Sequence, residues 1–135
     1  MGLFKSTIMT LLAICMFTST FSLSVTAAQP QIIYHTQQVY LKTPGQATIV
    51  GYFENTGDQT GYIKSFQHDL IINNQDDSQL IWRGHNIHYT TNIKVAPQQK
   101  VKHVFHVKNK HIPRYTQRYH WQVKNVHFHW NTSAH

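Results

Sequence analysis

The chain has 135 residues, with 12 Lys or Arg set against five Asp or Glu, eleven His and a single Cys. A net charge of +7 combined with 41% hydrophobic residues excludes an acidic solvating polymer and favours anionic partners for a chain able to form a core. One cysteine excludes a disulfide-stapled scaffold.

Residues 1–28 read as a secretory signal peptide. MGLFKS carries a positive charge, TIMTLLAICMF is an apolar run, and SVTAA offers small residues for cleavage at Ala27 or Ala28. A membrane anchor would need roughly 18 or more continuous apolar residues, and Thr18, Ser19, Thr20 and Ser22 interrupt this run. Lipidation at Cys15 would want a small residue before it, where Ile14 stands. The expected product is one domain over residues 29–135, periplasmic or secreted, with no transmembrane segment. Cys15, Met1, Met9 and Met16 all fall in the leader. The domain therefore has no sulfur ligand, which excludes blue-copper and soft Cu(I) chemistry.

Beyond the leader the apolar period is two, that of strands. QIIYHTQQVYLK places Ile33, Val39 and Leu41 on one face and Tyr34 and Tyr40 on the other, before a turn at Pro44 and Gly45. ATIVGYFEN reads as a second strand and TGDQTG as its turn. GYIKSFQHDLII reads as a third strand, with Tyr62, Phe66, Leu70 and Ile72 on its apolar side. After the loop NNQDDS, QLIWRGHNIHYTT is a strand with an irregularity at Gly84. APQQ is a turn, and KVKHVFHVK alternates with Val101, Phe105 and Val107 sharing a face. NKHIPR is a loop, and YTQRYHWQVKNVHFHW closes the domain. Six or seven such segments separated by turn signals predict a small all-β antiparallel sandwich.

VGYFENTGDQTGYIKSF, HDLIINNQDDSQLI and IKVAPQQKVKHVFHV, spanning roughly residues 47 to 107, resemble the core of secreted immunoglobulin-like or fibronectin-like domains. The shared features are a strand ending in Asn-x-Gly, an acidic turn after an extended strand, and a Pro-containing turn before an alternating one. The resemblance implies a fold shared by adhesion modules, assembly subunits and binding proteins, without the Cys and Trp hallmarks of antibody domains.

In HWQVKNVHFHW, Tyr119, Trp121 and Val123 share one parity while Val126, Phe128 and Trp130 share the other. A bulge at Lys124 and Asn125 would keep one strand, leaving His120 roughly 20 Å from His127 at 3.3 Å per residue. A two-residue hairpin there would instead gather His120, His127 and His129 on one face, although Lys-Asn is a poor type I′ turn. Either way His127 and His129 share a face and form a two-toothed chelate suited to Zn(II) or Cu(II), short of the three or four ligands that a firm zinc site needs. His85 and His88, three apart, are expected on opposite sides, as are His103 and His106. His35, His68 and His103 have the parity of core or boundary residues.

Every carboxylate lies between Glu54 and Asp77, whereas residues 78–135 hold nine Lys or Arg and nine His. Lys102, Lys108, Lys110, Arg114, Arg118 and Lys124, interleaved with Tyr115, Tyr119 and Trp121, are the expected contacts for an anionic surface, polymer or protein, gathered on one outward patch. Such attraction is salt-sensitive, and imidazole, which as a class titrates near pH 6.5, makes it pH-sensitive. No nucleophile elbow, phosphate loop or His-Glu-x-x-His motif is present. The expected function is therefore non-catalytic binding outside the cytoplasm, without a cytoplasmic nucleic-acid role. The alternatives are a divalent-metal binder at His127 and His129, and a structural subunit of a secretion or surface assembly.

Overall fold

A computed structural model describes residues 29–135; the signal-peptide reading and Cys15 fall outside the described residues. Six strands follow one another: β1 (Ile32–Thr43), β2 (Gln46–Asn55), β3 (Gly61–Asn74), β4 (Leu80–Val95), β5 (Lys100–Lys108) and β6 (Tyr119–Asn131). They form two antiparallel three-stranded sheets, ordered β1-β2-β5 and β4-β3-β6, an arrangement compatible with a β-sandwich. Each sheet turns one face inward, so alternate residues of every strand meet in one apolar core.

Aromatic rings hold the two sheets together. Phe66 of β3 stacks on Phe105 of β5 at 4.6 Å between ring centres, and Phe53 of β2 meets Phe128 of β6 edge-on at 5.7 Å. Val39, Leu41, Ile49, Ile63, Leu70 and Ile72 fill the space around them and are buried. Gly51 in β2 makes room for Tyr34, whose hydroxyl and ring lie where a Cβ would stand. Burial pushes the Tyr34 hydroxyl up to about 12.

Bulges break the period of two and reassign several side chains. A register shift between Thr36 and Gln38 in β1 turns Tyr34 inward against Phe53 and Phe66, and leaves Ile33 48% exposed. The expected grouping of Ile33 with Val39 and Leu41 therefore fails, and His35 leaves the core side with it. A shift between Ile63 and Ser65 in β3 likewise makes Ile63 the buried residue in place of Tyr62.

Polar side chains close the ends. Asn55, fully buried, donates from Nδ2 to the carbonyls of Gln59 and Val95 and accepts at Oδ1 from the amides of Gln31 and Gly57. One side chain thus ties the amino-terminal segment, the β2–β3 turn and the end of β4. At the other end, the β5–β6 connection inserts Ile112 into the core. Its carbonyl accepts from the amide of Gly45, whose φ of 77° suits glycine.

Candidate functional site

β6 is one bulged strand. Asp69 pairs with Lys124 and Gln67 with His127, so Asn125 and Val126 together face the single residue His68 of β3. Asn125 has φ 51°, in the left-handed region that asparagine tolerates. The hairpin does not form, and His120, seven residues from His127, is removed from any site made by His127 and His129. His120 instead lies with Nδ1 3.2 Å from Asp77 Oδ1. His127 and His129 are both exposed on the outer face of the second sheet, opposite Gln67 and Ser65. Among the described residues, no group of three or more His, Cys, Asp or Glu side chains is placed to hold a metal ion.

A second bulge mirrors the first across β3. Gly84 pairs with Leu70 and Ile87 with His68, so His85 and Asn86 of β4 both face Asp69, and Asn86 has φ 52°. Asp69 joins the two irregularities. Its Oδ1 accepts from the Asn86 amide at 2.8 Å, and its Oδ2 accepts from Asn125 Nδ2 at 2.8 Å. Those donors, the Asn86 amide first, hold its carboxyl below the usual carboxylate range. His85 Nδ1 lies 3.5 Å from Oδ2. The extra residue brings His85 to the outer face that also carries His88, opposite Gln67, and overturns the expectation that the two point apart.

His68 and His103 face inward. His68 Nε2 meets the Tyr89 hydroxyl at 3.0 Å and Nδ1 meets the Asp69 carbonyl at 3.1 Å. A carbonyl can only accept, so Nδ1 carries the proton and Nε2 accepts from Tyr89. Burial depresses the pKa of both imidazoles and raises that of the Tyr89 hydroxyl. His35 faces outward and stacks on Tyr52 at 4.7 Å.

The six predicted cationic contacts occupy three surfaces instead of one patch. Lys102 and Lys108 lie on the outer face of the first sheet, on β5 opposite Tyr52 and Gln46. Lys124 is on the outer face of the second sheet, opposite Asp69. Lys110, Arg114 and Arg118 lie in the connection between β5 and β6. Sequence parity placed residues within strands, but which sheet each strand joins is a non-local fact that parity does not carry.

The structure does gather basic side chains, two of them Arg or Lys and four of them His, at one place that the sequence reading missed. β4 and β5 are joined by a short turn and then diverge into different sheets, opening a groove of about 590 Å³. Its floor is Trp82, Ile87 and Tyr89 from β4 with Val107 from β5. Arg83, His85 and His88 line one side; His106, Lys108 and His111 line the other. Of the predicted residues only Lys108 belongs to it. On the opposite side of the molecule β1 and β6 are bridged instead, by Tyr119 donating its hydroxyl to the Val39 carbonyl at 2.6 Å and Trp121 Nε1 donating to Gln38 Oε1 at 2.9 Å. Its only local trace in the sequence is the pair of His-rich segments flanking the APQQ turn; the divergence of their strands into separate sheets, which opens the groove, is not local.

Carboxylates leave the cations unneutralised. Among the described residues the three ion pairs, His35–Glu54, His85–Asp69 and His120–Asp77, all use histidine as the cation. Asp58 accepts from the Gln29 amide, and Asp76 from the amide and hydroxyl of Ser78. No Lys or Arg of residues 29–135 is paired with a carboxylate. No family model, curated protein or solved structure matches this chain, and what the geometry supports is an all-β protein of two antiparallel three-stranded sheets with a groove between two of their edges that carries Arg83, Lys108, four histidines and the rings of Trp82 and Tyr89.

Proposed function

We propose that this chain is an exported, non-catalytic, immunoglobulin-like binding domain that recognises an anionic partner, with the groove between β4 and β5 as its main contact and the surrounding lysines as a wider attractive field. The observation that carries the reading is the absence of any Lys or Arg ion pair with a carboxylate among the described residues. An unpaired cation gives an incoming anion its full attraction without first breaking an internal pair. The groove adds aromatic surface beside charge, a combination that holds anionic ligands with both Coulomb attraction and stacking.

Binding of inorganic polyphosphate, followed by fluorescence anisotropy, tests the reading. About four lysine or arginine contacts should make affinity fall on the order of a hundredfold between about 50 and 200 mM salt. Imidazole is the side chain that gains charge between about pH 7 and 5, so binding should tighten at about pH 5.5. Affinity indifferent to both salt and pH would overturn the proposal. The shared outer face of His127 and His129 favours a second, narrower reading, a Zn(II)- or Cu(II)-binding protein.

A further inference from the structure

Each sheet has two edge strands, and bulges distinguish them. β1 shifts register twice against β2, β4 shifts three times against β3, and β6 shifts twice against the same strand. Among the described edge strands β5 alone pairs without interruption, from Gln46 opposite Lys108 to Glu54 opposite Lys100. Bulges twist an edge away from a would-be partner, whereas a regular edge presents a straight row of amide and carbonyl groups. β5 is hydrogen-bonded to β2 and to no other described strand, and it forms one wall of the groove.

The side chains of β5 say what kind of strand could pair there. Its outward positions are Lys100, Lys102, Val104, His106 and Lys108, and Val104 is 40% exposed. A second copy is disfavoured, because two-fold antiparallel pairing centred on Val104 would set Lys100 against Lys108 at both ends of the ladder. Like charges directly opposite each other destabilise a sheet. A strand bearing acids at alternate positions reverses that sign. Its other parity would face the groove floor, where Trp82, Ile87 and Tyr89 offer apolar surface.

We infer that the free edge of β5 takes an extended acidic segment of a partner protein as an added strand, with alternating acidic side chains over the lysine row and apolar ones in the groove. This rests on the anion-binding reading above and names the partner for that site. The test uses the unaltered protein and a labelled nonapeptide alternating Glu and Val, the same peptide with Lys for Glu, and two forms N-methylated on either alternate set of residues. The acidic peptide should bind and the basic one should not. N-methylation of at least one set should weaken binding about tenfold or more, because several main-chain hydrogen bonds are lost together. Amide exchange should slow within residues 101–108 when the acidic peptide is bound.

N-methylated peptides that bind as tightly as the parent, or exchange protection on β1, β4 or β6 instead, would overturn the inference. Polyphosphate that still bound with salt dependence would then leave the anion reading standing alone, whereas failure of peptide and polyphosphate together would remove both. Self-association that slows exchange on β5 without peptide would assign the edge to a second copy and overturn the acidic partner.

Discussion

Replacing His68 by Phe tests how the core holds a neutral imidazole between the two bulges. His68 is 1% exposed and both ring nitrogens are satisfied, by the Asp69 carbonyl and the Tyr89 hydroxyl. The phenyl ring fits the same space but strands that carbonyl and hydroxyl. Orphaning a buried polar group costs about 1–3 kcal/mol, so a loss of about 2 kcal/mol is expected, or roughly 10 °C in Tm for a domain of this size. Tyr89→Phe should cost about 1 kcal/mol by leaving the Nε2 lone pair without a donor. The double variant should cost less than the two added together, since each single change already breaks the same bond. The pH dependence has a definite sign. Burial depresses the pKa of folded His68, against the opposing pull of the Asp69 carbonyl and carboxylate. As pH falls through about 6.5 the unfolded imidazole binds a proton that the folded one does not, so stability is complete above that pH and declines below it toward the folded pKa. Urea denaturation between about pH 7.5 and 5 should show a shallower acid-side decline in His68→Phe than in the parent, with His103, depressed by the same cause, still contributing. Strict additivity in the cycle, or an unchanged decline in His68→Phe, would refute the reasoning.

Asn125 holds the β6 bulge with φ 51° and a side-chain bond to Asp69. Asn125→Val should destabilise by about 1–2 kcal/mol, because a β-branched residue resists the left-handed region. Asn125→Gly keeps that conformation and should cost less, with the order read from urea midpoints. Among the described residues His127 and His129 have no third ligand beside them, so calorimetric titration with Zn(II) or Cu(II) should show at most weak uptake. The His127→Ala, His129→Ala double variant should abolish that uptake, and equal uptake by both chains would remove the metal reading.

The strands and turns were legible because the period of two survives between bulges. ATIVGYFEN, KVKHVFHVK and both parities of the final strand correspond to β2, β5 and β6. A bulge is legible only when apolar residues stand on both sides of it to show the change of parity. That holds for Val123 and Val126, and it identified the β6 irregularity. It fails in β1, where the apolar Ile33 and Tyr34 are neighbours and either could face inward, and the shift between Thr36 and Gln38 decided for Tyr34. It fails again in β4, where the extra residue falls between His85 and Asn86, both polar and both exposed. The groove was hidden for a different reason. It arises because β4 and β5, neighbours in sequence, pair with β3 and β2 in separate sheets, and no local pattern records that divergence.

The irregularities and the proposed docking edge belong to one physical account. A small two-sheet protein without closure must protect four edges from indiscriminate pairing. Three of them here are broken by bulges, two of which share the Asp69 carboxylate as their anchor. The fourth, β5, keeps unbroken register and carries lysines in place of a bulge. A bulge rejects every partner alike, because the backbone itself is out of register. A lysine row rejects cationic and self-pairing strands while attracting acidic ones, so protection by charge leaves a selective opening that protection by geometry closes. Reversing Lys102 and Lys108 to Glu should therefore exchange the preference of β5, admitting the basic nonapeptide and excluding the acidic one, whereas the same reversal at Lys124, on the bulged strand β6, should leave peptide choice unchanged.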